Sequence, residues 1–197
     1  MTCCTDYAVW TVWEVSPSSQ QDTLMTLTLE TNRLLLRQFQ ESDFDAYSAM
    51  SSDPEVMRYI GQGVPMSRYE SWRNMATLLG HWVLRGYGFW AVEEKSSGEL
   101  IGRCGIWNPE GWPGIEVGWI FRRSAWGQGF ATEASGAAMD WAFETLDIDS
   151  ICSVIRVGND RSVRVALKLG ETLAETRDVF GSDCWIYSVT RERRAEL

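Results

Sequence analysis

The chain has 197 residues, 45% of them hydrophobic, which is enough for one folded domain with a buried core. Its net charge of -9 and isoelectric point near 4.7 argue against nucleic acid and anionic membrane as partners, because phosphate groups attract basic surfaces. Five scattered cysteines form no CxxC pair and His81 is the one histidine, so we expect no disulfide framework, no metal site and a cytoplasmic protein.

Residues 1–32 differ in composition from the rest, since they contain four acidic side chains but no lysine or arginine. The first basic residue is Arg33, so the charged region of a secretory signal is not expected, and no apolar run approaches membrane-spanning length. Residues 8–15 alternate as in a strand or docking arm, residues 16–22 resemble a linker, and Met25 is an alternative start. We therefore expect an N-terminal extension or linker (1–26), one domain (27–192) and a C-terminal tail (193–197).

Hydrophobic periodicity from Thr31 onward predicts strands and helices along the chain. The predicted strands are 33–39, 89–94, 100–107, 115–121, 150–157, 172–178 and 184–190, and the predicted helices are 41–51, 66–84, 130–146 and a segment beginning at 159. Short turns between consecutive strands imply an antiparallel meander, and the helix between residues 121 and 150 implies one parallel pair. The expected fold is α+β (mixed α/β), with a mostly antiparallel seven-stranded sheet and about four helices.

Residues 116–133, EVGWIFRRSAWGQGFATE, run from a strand through a double-glycine turn into a helix. Gly127 and Gly129 permit a turn whose N–H groups lack an acceptor within the helix, which makes phosphate a natural ligand. A P-loop needs Gly-Lys followed by Ser or Thr, and a dinucleotide fingerprint needs a third glycine or alanine where this chain has Thr132. A tight turn without a ligand remains an alternative.

The glycine turn resembles motif A of the GNAT superfamily of N-acetyltransferases, through Trp126-Gly127-Gln128-Gly129-Phe130-Ala131. Trp126 stands where the family usually has Arg or Gln. The sequence WGQGFATEA, together with EVGW before it, resembles the RimJ/RimL-type branch, the N-terminal acetyltransferases of ribosomal proteins. Asn159-Asp160-Arg161-Ser162 with Lys168-Leu169-Gly170 is similar to motif B, and residues 29–43 are similar to the opening strand and helix of that branch. The likeness covers about residues 27–192.

This resemblance implies the GNAT acyl-CoA N-acyltransferase fold, in which strands 115–121 and 150–157 splay apart and acetyl-CoA lies between them. Backbone amides of residues 127–132 then bind its pyrophosphate, residues 119–121 offer backbone groups to the pantetheine arm, and no metal is required. The cofactor-binding residues that it implies are Trp119, Ile120, Phe121, Trp126, Gly127, Gln128, Gly129, Phe130, Ala131, Thr132, Asn159 and Ser162.

The catalytic candidates follow from what acetyl transfer demands of a site. Glu116 is the candidate base, with a pKa raised by partial burial, although an exposed strand carboxylate in a salt bridge is an alternative. Many GNAT enzymes carry a tyrosine acid seven residues after the motif B asparagine, where this chain has Ala166. Ser162 or Tyr187 is the substitute candidate, or the thiolate leaves unaided.

Direct attack by the amine in a ternary complex is expected, because Cys104 and Cys152 lie in apolar strands and look inert. The acceptor is a primary amine, either a protein N-terminus, as the branch implies, or a small amine such as an aminoglycoside, as the acidic balance allows. Helical segments 41–51 and 66–84 are the expected acceptor wall, although their aromatic residues also suit a core. A non-catalytic acyl-CoA-binding module is the alternative that Ala166 leaves open, and the expected state is a monomer or homodimer.

Overall fold

The computed structural model describes residues 27–197, and the predictions for residues 8–25 lie outside the described residues. The strands are β1 (Leu29–Glu30), β2 (Leu34–Arg37), β3 (Phe89–Glu94), β4 (Glu99–Trp107), β5 (Glu116–Phe121), β6 (Ser150–Arg156), β7 (Thr172–Val179) and β8 (Ser182–Thr190). The helices are α1 (Phe44–Ser51), α2 (Pro54–Met57), α3 (Arg68–Arg85), α4 (Phe130–Thr145), α5 (Asp160–Lys168) and α6 (Arg191–Ala195). Two short 3-10 turns, Glu41–Asp43 and Arg123–Ala125, complete the described elements.

One sheet contains all the described strands, in the order β1-β2-β3-β4-β5-β6-β8-β7. Its neighbouring strands are antiparallel except for β5 and β6, which are parallel. The predicted α+β class, the meander and the single parallel pair are therefore confirmed.

Three short elements were not expected. Strand β1 has two residues and brings the strand count in the described chain to eight rather than seven. Helix α2 is a single turn that begins at Pro54 after the cap Asp53, and α6 lies partly where a C-terminal tail from residue 193 was predicted. Such short elements contain too few residues to show a hydrophobic period.

The sheet has a hydrophobic cluster on each face, and a different group of helices packs against each cluster. Helix α4 covers one face with Ala134, Ala138 and Ala142, which are fully buried and let the helix approach the strands closely. Helices α1, α2 and α3 cover the other face, where they pack on Phe89 and Ile120. Strand β5 therefore lies between two packed layers. No helix found in residues 27–197 is long and apolar enough to cross a membrane.

Candidate active site

The parallel strands β5 and β6 separate soon after they meet. They are in register at Glu116 and Cys152, where the Cys152 N–H donates to the carbonyl oxygen of Ile115 at 2.8 Å. Toward the end of β5 the backbone groups of residues 119–121 that point away from β4 have no strand partner among the described residues. The opening between the two strands is a wedge that exposes backbone hydrogen-bonding groups.

Two side chains replace the missing ladder bonds at the closed end of this wedge. Glu116 Oε1 accepts a hydrogen bond from the Val154 N–H at 3.4 Å, and Ser153 Oγ donates to the Val117 carbonyl oxygen at 3.2 Å. Because a buried backbone group without a partner is costly, these contacts stabilise the separation of the strands.

A groove of about 730 Å³ extends from the wedge toward the start of α4 and α5. It is lined by all the predicted cofactor-binding residues except Gln128, namely Trp119, Ile120, Phe121, Trp126, Gly127, Gly129, Phe130, Ala131, Thr132, Asn159 and Ser162. The Gln128 side chain instead donates to the Ser124 carbonyl oxygen at 2.9 Å. The fold thus gathers the two sequence motifs along one groove.

The glycine turn presents unpaired amides to the groove. Gly127 and Gly129 have φ angles of +77° and +83°, and no side chain in the described structure caps the start of α4. The turn is braced from outside by Arg33, which donates to the Gln128 carbonyl oxygen at 3.0 Å and pairs with Glu133 at 2.6 Å. The N–H groups of the first helical turn are therefore free to bind an anion, which the helix dipole favours.

Four basic side chains that the sequence analysis did not assign also line the groove: Arg58, Arg161, Arg164 and Lys168. Arg161, Arg164 and Lys168 follow the spacing i, i+3, i+7 on α5, so they share one face of the helix. This spacing of basic residues is the sequence signal from which they could have been assigned. The Arg161 guanidinium lies over the Trp126 ring, 4.4 Å from its centroid. A guanidinium from motif B thus stands beside the position where motif A usually has Arg or Gln.

The Glu116 carboxyl group is half-buried at the closed end of the wedge and does not line the groove itself. Burial raises its pKa to about 7, against the opposing effects of the Trp112 indole N–H, which donates to Oε2 at 2.7 Å, and of the Val154 N–H. The Arg103 guanidinium opposes the rise more weakly. A carboxyl group with a pKa near neutrality is suited to accept a proton at physiological pH.

The two candidates for the proton donor, Ser162 and Tyr187, lie in different surroundings. Asn159 caps α5 and donates to Ser162 Oγ at 3.0 Å, which leaves the Ser162 hydroxyl proton free to point into the groove. Tyr187 pairs with Ser153, one residue beyond the register partner of Glu116, so it lies on the opposite face of the sheet and outside the groove lining. Ala166 is fully buried.

The cysteines near the site are poor nucleophiles. Burial raises the pKa of both Cys104 and Cys152 to about 12, so neither forms the thiolate that covalent catalysis needs. Within residues 27–197 no group of three His, Cys, Asp or Glu side chains is arranged to hold a metal ion.

A second buried carboxyl group lies behind the wedge. Glu171 is 1% exposed, its Oε1 lies within hydrogen-bond distance of Ser153 Oγ at 2.9 Å, and its pKa is raised by burial from 4.5 to about 8. The folded state therefore holds a proton that the unfolded state releases, and stability is lost as the pH rises from about 4.5 through about 8.

Replacing Glu171 by glutamine is expected to raise Tm above pH 8 and to change it little near pH 5, because the amide stays neutral and still forms a hydrogen bond with Ser153. Thermal unfolding by circular dichroism at both pH values checks this, with the exposed Glu175→Gln as the matched control. A Tm difference from the wild type that is independent of pH would contradict it.

The sequence of this chain is similar to those of known proteins. A family model described as an acetyltransferase (GNAT) domain matches residues 33–172. YkkB, an uncharacterized protein of Bacillus subtilis (strain 168), is 33% identical over 156 residues, which cover 75% of this chain and 87% of YkkB.

Solved structures share the fold. An acetyltransferase from Agrobacterium tumefaciens str. C58 superimposes with a TM-score of 0.73 at 30% identity, over 92% of this chain and 99% of that one. RimL, a ribosomal L7/L12 alpha-N-protein acetyltransferase in complex with coenzyme A, superimposes with a TM-score of 0.68 at 20% identity, over 81% of this chain and 95% of RimL. At 20% identity, the likeness to RimL supports only a shared fold.

Proposed function

This chain belongs to the GNAT family of acetyltransferases, and from that premise we propose how its own residues carry out the reaction. The protein is an N-acetyltransferase that transfers an acetyl group from acetyl-CoA to an amine. The observation that carries the proposed mechanism is the wedge between β5 and β6, which opens into a groove with an uncapped helix start and four basic side chains.

The groove suits a CoA-type ligand in shape and charge. Amides of residues 127–132 bind the pyrophosphate, and Arg161, Arg164 and Lys168 add positive charge along one wall. The backbone groups of residues 119–121 that point away from β4 pair with the amides of the pantetheine arm, as an added strand would. The Phe121 carbonyl oxygen is an exception, since it accepts from the Trp126 indole N–H at 2.7 Å. When bound, acetyl-CoA supplies the activated thioester.

Glu116 acts as the general base on the acceptor amine. Its carboxylate takes the amine proton through a water molecule, and a pKa of about 7 keeps a large share of it ionised at neutral pH. The Phe121 backbone N–H, which points away from β4, stabilises the negative charge that develops on the thioester oxygen. The amine attacks directly, because the pKa of Cys152 is about 12 and excludes this thiol as an acetyl carrier at neutral pH.

The leaving thiolate receives its proton from the Ser162 hydroxyl group, which lines the groove, is oriented by Asn159 and regains a proton from solvent water. Tyr187 has no part in the proposed reaction, since it lies on the other face of the sheet. Family membership favours an enzyme over the non-catalytic module that Ala166 left open.

The acceptor class is tested by following free CoA thiol release from acetyl-CoA with a panel of peptides, polyamines and aminoglycosides. Turnover with peptides that have a free N-terminal amine supports a protein N-terminus as the acceptor, as the RimJ/RimL-like sequence of motif A indicates. Turnover confined to polyamines or aminoglycosides supports a small amine, in line with the net charge of -9. Binding of acetyl-CoA without release across the panel would contradict the proposed reaction.

Arg161→Gln is expected to weaken acetyl-CoA binding by about tenfold and to reduce its salt dependence, because a charge-assisted contact to phosphate is lost. Calorimetry at low and high salt measures both effects. Arg177→Gln on β7 is the matched control, since Arg177 is exposed, pairs with Glu175 and lies outside the groove. Equal affinities for the two variants would exclude Arg161 from the phosphate site.

A further inference from the structure

The turn between β7 and β8 has an unusual first residue. Val179 and Ser182 are paired, so Phe180 and Gly181 form a two-residue turn with φ angles of +49° and +82°. Both positive angles fit a type I′ turn, which favours Asn-Gly. Phe180 is the one non-glycine residue with positive φ in the described chain, and this conformation is unfavourable for a bulky residue.

The strained position places the Phe180 ring on Trp112, in the loop between β4 and β5. The two rings are stacked, with centroids 5.8 Å apart and planes inclined by 28°. Phe180 remains 67% exposed, so burial of its ring does not explain the choice of residue. Strain in the backbone combined with one specific contact is a pattern typical of functional positions.

Trp112 in turn contacts Glu116. Its indole N–H donates to Oε2 of the carboxyl group at 2.7 Å, a hydrogen bond that favours the ionised form. The backbone N–H of Trp112 donates to the Pro109 carbonyl oxygen at 3.1 Å. This bond fixes the loop backbone, but the orientation of the Trp112 ring depends on the side chains that contact it. Besides the hydrogen bond to Glu116, the stack with Phe180 is therefore a contact that restrains rotation of the indole.

We propose that Trp112 is a positioning residue for Glu116, and that Phe180 at the tip of the β7–β8 turn holds the Trp112 indole in its donating orientation. The proposal rests on the proposed role of Glu116 as the base. It assigns a function to the strained turn, which otherwise has an unfavourable residue at its first position.

The first test is Trp112→Phe, which keeps an aromatic ring for the stack but removes the N–H donor. Loss of the hydrogen bond raises the pKa of Glu116, so the acid limb of kcat/KM against pH is expected to move upward by about one pH unit. At pH 7 this lowers kcat/KM about fivefold, and the wild-type value is recovered at high pH. Acetyl-CoA affinity, measured by calorimetry, stays unchanged.

The second test is Phe180→Asn, which supplies a residue that the turn prefers but removes the ring. Tm is expected to stay the same or to rise, whereas the acid limb moves in the same direction as for Trp112→Phe by about half a pH unit. Leu173→Asn on β7, which is also exposed, is the matched control and leaves the limb in place. A purely structural role would change Tm without moving the limb.

Two outcomes separate the failure of this proposal from the failure of the mechanism. An inactive Glu116→Gln variant with an unmoved acid limb in both Trp112→Phe and Phe180→Asn would overturn the positioning role alone. A fully active Glu116→Gln variant would overturn the role of Glu116 and this proposal with it. If Trp112→Phe does not fold, Phe180→Asn still decides the question.

Discussion

Glu116→Gln is expected to lower kcat by about 10²–10⁴-fold while acetyl-CoA affinity remains within about twofold of the wild type. The amide has nearly the same shape as the carboxyl group, and its one oxygen still accepts from the Trp112 indole N–H. The longer contact to the Val154 N–H, at 3.4 Å, is lost, while the Ser153 contact to the Val117 carbonyl oxygen continues to hold the wedge open. What is lost is the ability to take a proton from the acceptor amine. Thiol release measures kcat, and calorimetry measures affinity.

The pH dependence of the wild type provides an independent check on the same residue. With a Glu116 pKa of about 7, kcat/KM is expected to fall about tenfold per pH unit below that value, because the base is increasingly protonated. The acid limb disappears in Glu116→Gln. Glu110→Gln, in the loop between β4 and β5, is the matched control, since the Glu110 side chain is fully exposed.

Two results would count against Glu116 as the base. One is a Glu116→Gln variant with near wild-type kcat, and the other is an acid limb that survives the substitution. Either outcome would direct attention to the acceptor amine, whose own ionisation then sets the pH profile. A parallel loss of acetyl-CoA affinity would indicate instead that the substitution closes the wedge.

The local backbone features of the site were predictable because they are encoded by nearby residues. Strand β3 was predicted with the bounds that it has, Phe89–Glu94, since glycines precede it and a turn follows it. The double-glycine turn was predicted from Gly127 and Gly129, because two glycines between a strand pattern and a helix pattern are enough to indicate such a turn. Such signals are contained within about twenty residues.

The contacts that tune the site were not predictable in the same way, because they join side chains distant in sequence. Arg161 meets Trp126, and Phe180 meets Trp112, only after the sheet has brought α5 and the β7–β8 turn beside β5. Arg161 and Phe180 are both exposed, and nothing in their own segments marks them as contacts of a tryptophan. The charge of a groove and the pKa of a buried carboxyl group therefore depend on the assembled fold.

Gly129→Val is expected to cause the largest loss of acetyl-CoA affinity, an increase in Kd of about 10–100-fold. Gly129 caps α4 with φ +83°, a conformation that costs a branched residue about 1–2 kcal/mol. The variant relieves this strain by moving the turn, and the N–H groups of residues 130–132 then no longer converge on the phosphate. Each charge-assisted hydrogen bond lost is worth about 1.5–3 kcal/mol, which accounts for the range.

A matched control separates backbone strain from lost binding. Gly98 in the β3–β4 turn has φ +68°, with no atom near the position of an added Cβ, and it lies outside the groove. Gly98→Val is therefore expected to lower Tm through a similar backbone cost while Kd for acetyl-CoA stays unchanged. If Gly129→Val lowers Tm by the same amount and binds acetyl-CoA normally, the glycine serves only the turn. A selective loss of affinity in Gly129→Val, with kcat recovered at saturating acetyl-CoA, assigns the turn to the phosphate and leaves the chemistry to Glu116.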